Sequence, residues 1–285
     1  MMDNNIKTIF KNLNIEVNDI IPANNSFNAE VYIINSNNKK YIFKICNKEK
    51  KIETVVRYMS HLSNYLDTAE VLDSGIINNK YYVIMSYIEG ENKFDEEIDT
   101  LSDKQLIEMG RLLAKLHNAP LIDEEDDSWI KYLNEKLEDS QEVLDNVFGE
   151  DNKVIYDYLK DYINNDIKGN YKNSILHMDF RIGNLIFNND KISLIDMDSM
   201  KNGDYICDFF RMYNDLSKEK FNILLSGYKE IRNIDDNFYE RLKFYSLFTS
   251  YIVLYWCISR NKIADDFYNK NYNIVMNYLN DLKNR

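Results

Sequence analysis

His177-Met178-Asp179-Phe180-Arg181-Ile182-Gly183-Asn184 is a run of polar and charged groups set between two apolar stretches, Ser174-Ile175-Leu176 and Leu185-Ile186-Phe187. Short apolar segments of this kind read as buried strands. The polar groups between them therefore emerge at the ends of rigid elements, where side chains lining a cleft are held best. Beyond the second strand the pattern returns. Leu194-Ile195-Asp196-Met197-Asp198-Ser199 ends another apolar run on paired carboxylates, the first of them twelve residues after Asn184.

Phosphoryl transfer from a nucleotide draws on this set of side chains. A carboxylate orients the attacking hydroxyl and takes its proton, and Asp179 fits that task. Hard oxygen donors hold Mg2+ on the phosphates, and Asn184 and Asp196 fit. A cation offsets the charge that develops on the transferring group, and Arg181, two residues beyond Asp179, is placed for it. His177 then serves as a scaffold that pins the loop. Asp198 is open to two roles, a second metal contact or the charge partner of a lysine.

The chain changes texture near Tyr87–Gly90. Before it lie strand-like runs at 15–21, 30–36, 40–46, 70–77 and 80–88, with Asn37-Asn38-Lys39 and Asn78-Asn79 as hairpin turns. One helix is expected across 48–66, where Ile52, Val55, Val56, Met59 and Leu62 recur at helical spacing. Lys44 sits inside the apolar strand Tyr41-Ile42-Phe43-Lys44-Ile45, and a charge there needs a partner or a cleft. After Gly90 the pattern is helical. Ser102 is a candidate N-cap for 101–117, whose stripe is Leu106, Met109, Leu112, Leu113 and Leu116. Further helices are expected at 129–148, 151–168, 204–230, 235–260 and 264–283. A β-rich first part, residues 1–88, and a mostly helical second part, residues 89–285, make an α+β pattern.

Composition narrows the partners. The 285 residues carry 35 Lys and Arg against 47 Asp and Glu, a net charge of −12. Such a chain is repelled by nucleic acid and by anionic membrane, so neither is an expected partner. Cys46, Cys207 and Cys257 are odd in number and scattered, without disulfide or metal spacing. They read as buried reduced thiols and point to the cytoplasm. The N-terminus lacks the pattern of a signal peptide, and the longest apolar stretch, 251–258, is too short to span a bilayer. Oligomeric state leaves no trace in the sequence.

The motifs resemble those of the aminoglycoside phosphotransferase and choline kinase superfamily, which shares the protein-kinase-like fold. Its His-x-Asp-x-x-x-x-Asn loop is matched by His177, Asp179 and Asn184. Its metal-binding strand end, followed by Gly-Asp and a further Asp, is matched by Ile195-Asp196, Gly203-Asp204 and Asp208. Its Leu-x-x-Leu-His helix end is matched by Leu113 to His117. The resemblance implies a bilobal fold, with a small β-rich N-lobe holding one helix and a larger, mostly helical C-lobe. The N-lobe, 1–88, is expected to bind the nucleotide, and the C-lobe, 89–285, to carry the catalytic and acceptor sites.

The resemblance also implies roles for individual residues. Lys44 is expected to bind the α- and β-phosphates and to pair with a helix glutamate, Glu53 first and Glu49 second. Backbone groups of Ser86 and Ile88, within Met85–Gly90, are expected to bond the purine edge. The phosphate-covering turn, 23–29, departs from the protein-kinase glycine loop, and Ser26 is its candidate phosphate contact. Asp208 is expected to cap the helix it opens and to brace the catalytic loop. A segment of only twelve residues from Asp196 to Asp208, with no Ala-Pro-Glu after it, leaves no room for a protein-kinase activation segment.

The implied reaction is Mg2+-dependent transfer from ATP or GTP to a hydroxyl of a small, amine-bearing molecule. The acidic run Asp123–Asp127 and the net charge suit a polycationic aminoglycoside, and the stretch from Ile195 to Phe209 is similar to the metal loop of the amino-sugar 1-kinases of the superfamily, so aminoglycoside-like or amino-sugar hydroxyls rank first. Tyr251, Tyr255 and Trp256 keep a choline- or ethanolamine-type acceptor as the alternative, since aromatic faces hold quaternary ammonium groups. A non-catalytic nucleotide-binding protein of the same fold is the reading from another class.

Overall fold

The computed structural model describes residues 2–23, 29–37, 39–123, 128–189 and 191–284. The candidate phosphate contact Ser26 and residues 124–127 of the acidic run lie outside the described residues. The chain opens on helix α1 (Met2–Asn12). Ile6 and Phe10, four apart and so on one helical face, are wholly buried against Ile34, Phe43, Ile45, Tyr82 and Ile84. To the one helix expected in this part, the structure thus adds a second.

Five antiparallel strands follow: β1 (Asp19–Pro22), β2 (Glu30–Ser36), β3 (Lys39–Cys46), β4 (Val71–Ile77) and β5 (Lys80–Ser86), with helix α2 (Glu49–Leu62) inserted after β3. Their order in the sheet is β1-β2-β3-β5-β4. The β4–β5 hairpin turns on Asn78 and Asn79, both left-handed, with φ of 49° and 59°. Two successive positive φ values match a two-residue turn to the twist of its strands, and asparagine tolerates them. Successive strand side chains point to opposite faces. Phe43 and Ile45 therefore meet α1, while Lys44, opposite Val83 in register, points the other way.

Next come the short strand β6 (Glu91–Asn92), a 3-10 turn at 95–100 and helix α3 (Asp103–Asn118). Ser102 caps α3 as expected. Its hydroxyl accepts the Gln105 N–H at 3.3 Å, and the Gln105 side chain accepts the Ser102 N–H at 3.0 Å. This capping box satisfies two N-terminal amides at once. Helices α4 (Ser128–Phe148) and α5 (Asp151–Tyr162) lead to β7 (Asn173–Leu176), the hairpin β8 (Leu185–Asn188) and β9 (Lys191–Leu194), and β10 (Lys201–Asp204). β10 pairs with β7, while β6 joins β8 and β9 in a three-stranded sheet.

The helical stretch expected at 204–230 is broken into a 3-10 turn at 205–209, α6 (Phe210–Asp215) and α7 (Lys218–Lys229). Ser217 interrupts it. Its hydroxyl takes the Lys220 N–H at 3.3 Å and so starts a new helix. Helices α8 (Phe238–Ser259) and α9 (Asp266–Lys283) close the chain.

The α+β class is the expected one. The chain forms two compact units, Met1–Ile122 with Arg181–Met200 and Ile223–Ile231, and Asp123–Phe180 with Lys201–Asn222 and Arg232–Arg285. Among the described residues no helix is long and apolar enough to cross a membrane. The three cysteines are all buried.

Candidate active site

In the first unit the chemistry gathers around Lys44. Its ammonium lies 2.6 Å from Asp196 Oδ1 and 3.0 Å from Asp198 Oδ2. Burial alone would favour a neutral amine, but the two carboxylates outweigh it and hold the lysine above its usual pKa. Asp198 shows the mirror effect. Burial favours its neutral form, yet Lys44 and Lys51 hold its carboxyl below the usual range. Of the two roles open to Asp198, charge partner is the one this geometry takes.

The expected Lys44–Glu53 pair is not formed, and this is a correction. Glu53 is exposed. With Glu49, it faces the Tyr81 phenol, whose pKa the two carboxylates raise, Glu49 most. The cause is helical phase. Ile52, Val55, Tyr58, Met59 and Leu62 are the buried face of α2, and Glu53 points away from it. Lys51, two residues earlier and so about 200° round the helix, points toward the cluster and reaches Asp198 Oδ1 at 2.9 Å. Lys51 belongs to no motif, but the apolar stripe of α2 puts it nearer the buried side than Glu53.

Asn184 lies beside this cluster. It ends a 3-10 turn at 182–184, is buried, and its carbonyl accepts the Ile195 N–H at 3.0 Å. That bond ties the loop motif to the residue next to Asp196. Arg181 is engaged by Asp95 at 2.9 Å, and Asp95 also accepts the Gly183 N–H at 3.2 Å. Asp95 thus offsets the charge expected of Arg181 while fixing the segment. The Asn92 amide adds bonds of 2.9 Å to the carbonyls of Gly183 and Leu185.

At the end of β5, the Ser86 N–H is taken by the Glu70 carbonyl at 2.9 Å. The Ser86 N–H is therefore already engaged within the protein. Among the described residues no backbone carbonyl accepts the Ile88 N–H. Lys40 anchors this stretch, 3.2 Å from Glu89 and 4.8 Å from the centre of the Tyr87 ring.

In the second unit, Asp208 organises the loop that carries Asp179. Its wholly buried carboxylate accepts the backbone N–H of His177 at 2.7 Å and of Met178 at 2.8 Å. The bracing expected of Asp208 is what these bonds do. Capping falls instead to Asp204, whose carboxylate accepts the Ile206 N–H at 3.2 Å. Asp179 follows directly and is half-buried.

Eight non-glycine residues have positive φ among the described residues, and six are asparagines. The other two are Met178, at 70°, and Asp196, at 61°. Left-handed backbone is unfavourable for methionine, less so for aspartate, and persists where surroundings impose it, commonly at functional sites. Both lie in the motifs singled out from sequence, one next to Asp179 and one at the metal candidate.

The Gly203-Asp204 motif has a separate physical basis. A Cβ on Gly203 would lie 2.5 Å from the Trp129 ring, so only glycine lets the ring close over β10. Asp204 is fully buried and bonded to Arg241 at 3.0 Å and to the Tyr245 hydroxyl at 3.0 Å. Burial pushes its carboxyl up to about 6 despite Arg241. The aromatic candidates for holding an ammonium group fare differently. Tyr251 is wholly buried and donates to Asn152 at 2.8 Å. The Trp256 ring is already met by Arg260 at 4.6 Å and Lys262 at 5.2 Å.

Three solved structures illustrate what the chain is similar to. Aminoglycoside phosphotransferase APH(4)-Ia matches with a TM-score of 0.76 at 15% identity, over 97% of this chain and 99% of that one. A ternary complex of a thermostable mutant of APH(4)-Ia with AMP-PNP and hygromycin B matches with 0.75 at 15% identity, over 95% and 97%. The GDP and kanamycin complex of APH(2")-IIia matches with 0.73 at 13% identity, over 99% of each. At such identities the likeness is one of fold. No curated protein sequence matches. A sequence profile described as the phosphotransferase enzyme family does match, over residues 19–245, which is most of the chain. The chain belongs to the phosphotransferase enzyme family.

Proposed function

We propose that the protein transfers the γ-phosphate of ATP or GTP, with Mg2+, to a hydroxyl of a small amine-bearing molecule, an aminoglycoside-like or amino-sugar acceptor. The observation that carries this reading is the Lys44 cluster, a buried ammonium held charged between the carboxylates of Asp196 and Asp198. Lys44 binds the α- and β-phosphates, and residues 1–88 hold the nucleotide, with backbone groups of Ser86 and Ile88 on the purine edge. Ser26 is a further phosphate contact on sequence grounds. Residues 89–285 supply the catalytic groups and the acceptor site.

Mg2+ fits the donor set. Asp196 is 44% exposed at its side chain, and with Asn184 it offers hard oxygens from two tethered segments. Among the described residues no group of three or more His, Cys, Asp or Glu converges on a point. One carboxylate and one amide leave positions for phosphate oxygens and water, which is how Mg2+ is usually bound. When bound, the ion neutralises charge on the phosphates. Asp179 orients the acceptor hydroxyl and takes its proton, on a loop fixed from below by Asp208. Arg181, paired with Asp95, keeps that loop in place rather than facing the transferring group with a free charge.

The acceptor class is supported by the kanamycin and hygromycin B bound to the similar structures and by the net charge of −12, which suits a polycation. The burial of Tyr251 and the cations over Trp256 count against an ammonium cage of the choline type. The test is a coupled nucleotide-release assay with ATP and GTP over aminoglycosides, amino sugars, choline and ethanolamine, with product masses measured. Release stimulated by an amino-sugar acceptor and dependent on Mg2+ is expected. Asp179→Ala should lower transfer by about 10²- to 10⁴-fold with nucleotide affinity retained, and transfer at the wild-type rate removes Asp179 as the base. Asp196→Ala should weaken Mg-nucleotide binding, and an unchanged Mg2+ dependence removes its role.

A further inference from the structure

Two lysines from different elements share one carboxylate in the first unit. Lys51 of α2 reaches Asp198 Oδ1 at 2.9 Å, and Lys44 of β3 reaches Asp198 Oδ2 at 3.0 Å. The Asp198 side chain is only 9% exposed, and Ser199 donates to the same Oδ1 at 3.0 Å. Asp198 is therefore held on both oxygens, one of them from α2. Asp196, the other partner of Lys44, is open to solvent and is the group proposed to turn to the metal. Once Asp196 is so engaged, Asp198 is the remaining anchor of the Lys44 ammonium. Its own position depends on Lys51.

We propose that Lys51 is a positioning residue of the nucleotide-phosphate site, acting through Asp198 to hold Lys44 where it meets the phosphates. The inference rests on the phosphotransferase reading above. α2 is then coupled to Lys44 by a lysine–carboxylate–lysine relay in place of a direct lysine–glutamate pair. The relay differs from such a pair in its charge. A glutamate would neutralise Lys44, whereas Lys51 leaves Asp198 shared between two cations. With Asp196 turned to the metal, two lysines share one carboxylate, and the surplus positive charge suits a polyanion such as a triphosphate. A neutral side chain at 51 would let Asp198 turn wholly onto Lys44 and neutralise it.

The experiment measures nucleotide affinity by calorimetry, for ATP and GTP with and without Mg2+, alongside the urea midpoint. Lys51→Met should weaken nucleotide binding about tenfold, equivalent to about 1.4 kcal/mol, with Mg2+, and by less without it, where Asp196 still holds Lys44, with the urea midpoint close to wild type. Lys51→Arg, which keeps the charge and the reach, should restore binding to within about threefold of wild type. In an Asp198→Asn background, Lys51→Met should add little, because the relay is already cut. Wild-type affinity in Lys51→Met overturns the proposal. So does an undiminished effect in the Asp198→Asn background, or a Lys51→Arg variant as weak as Lys51→Met. Lys44→Met separates two kinds of failure. Binding lost there but kept in Lys51→Met overturns the role of Lys51 alone. Binding kept in both overturns the phosphate-site reading and this inference with it.

Discussion

Replacing Asp208 by asparagine changes almost no volume but removes one of two acceptors. The carboxylate takes the N–H of His177 at 2.7 Å and of Met178 at 2.8 Å. An asparagine can keep one of these bonds, while its amide NH2 then faces the other N–H, donor to donor. A buried donor left without a partner costs about 1–3 kcal/mol. The surviving bond also loses the strength that an ionised acceptor gave it. Met178, at φ 70°, loses a restraint that holds it in an unfavourable conformation, so the loop has a route of escape. Asp208→Asn should therefore cost about 2–4 kcal/mol, close to Asp208→Ala at about 3–5 kcal/mol, which strands both donors. Urea unfolding followed by tryptophan fluorescence suits the question, because Trp129 and Trp256, the two tryptophans of the chain, belong to the same unit as Asp208. Transfer should fall by about 100-fold in both variants as Asp179 loses its fixed position. An asparagine variant within about 0.5 kcal/mol of wild type and fully active would mean that the two N–H groups are satisfied by other partners and that Asp208 does not hold the loop.

Gly203→Ala drives a methyl into the Trp129 ring and should destabilise by about 1–3 kcal/mol. Adding Trp129→Leu should recover part of that loss, and strictly additive urea midpoints would count against the contact. Asp204 is predicted to give a characteristic pH dependence. Its folded pKa of about 6 lies above the ordinary 3.8, so the folded state binds the proton more tightly. Its contribution to stability is full below about pH 3.8 and declines as pH rises through 6. The wild-type stability advantage over Asp204→Asn should thus shrink by about 2 kcal/mol between pH 4 and pH 7, read from urea midpoints. A difference that is flat with pH would remove the argument.

Much of the fold could be read from patterns that are local. The Asn78-Asn79 turn, the Ser102 cap and the apolar stripe of α3 are each decided by a few neighbouring residues, and each forms as expected. Helix α1 escaped because its apolar positions, Ile6 and Phe10, are few among polar residues, and only the sheet beneath them gives the helix a reason to form. The site motifs of 177–184 and 196–198 were legible because strands confine their polar residues to fixed offsets. The partner of Lys44 was not. It depends on the rotation of α2 about its axis and on which distant carboxylate arrives, and sequence spacing encodes only the first. The role of Asp204 was hidden for a similar reason. Its burial is set by Trp129, Arg241 and Tyr245, which lie far away along the chain.

The pairing of Lys44 with Asp196 also sets a schedule for synthesis. The two residues are 152 positions apart. At roughly 5–20 residues per second, a ribosome that has finished β3 needs roughly 8–30 s more to make the first counter-charge. Through that interval, a sheet already long enough to collapse contains an ammonium whose desolvation is unfavourable by several kcal/mol. The nascent strands must keep that face wet until the carboxylates emerge. His117 waits similarly for Tyr228, 111 residues later. Completion of the first unit is thus deferred to a late stage of translation, even though its sheet is among the first parts of the chain to be made.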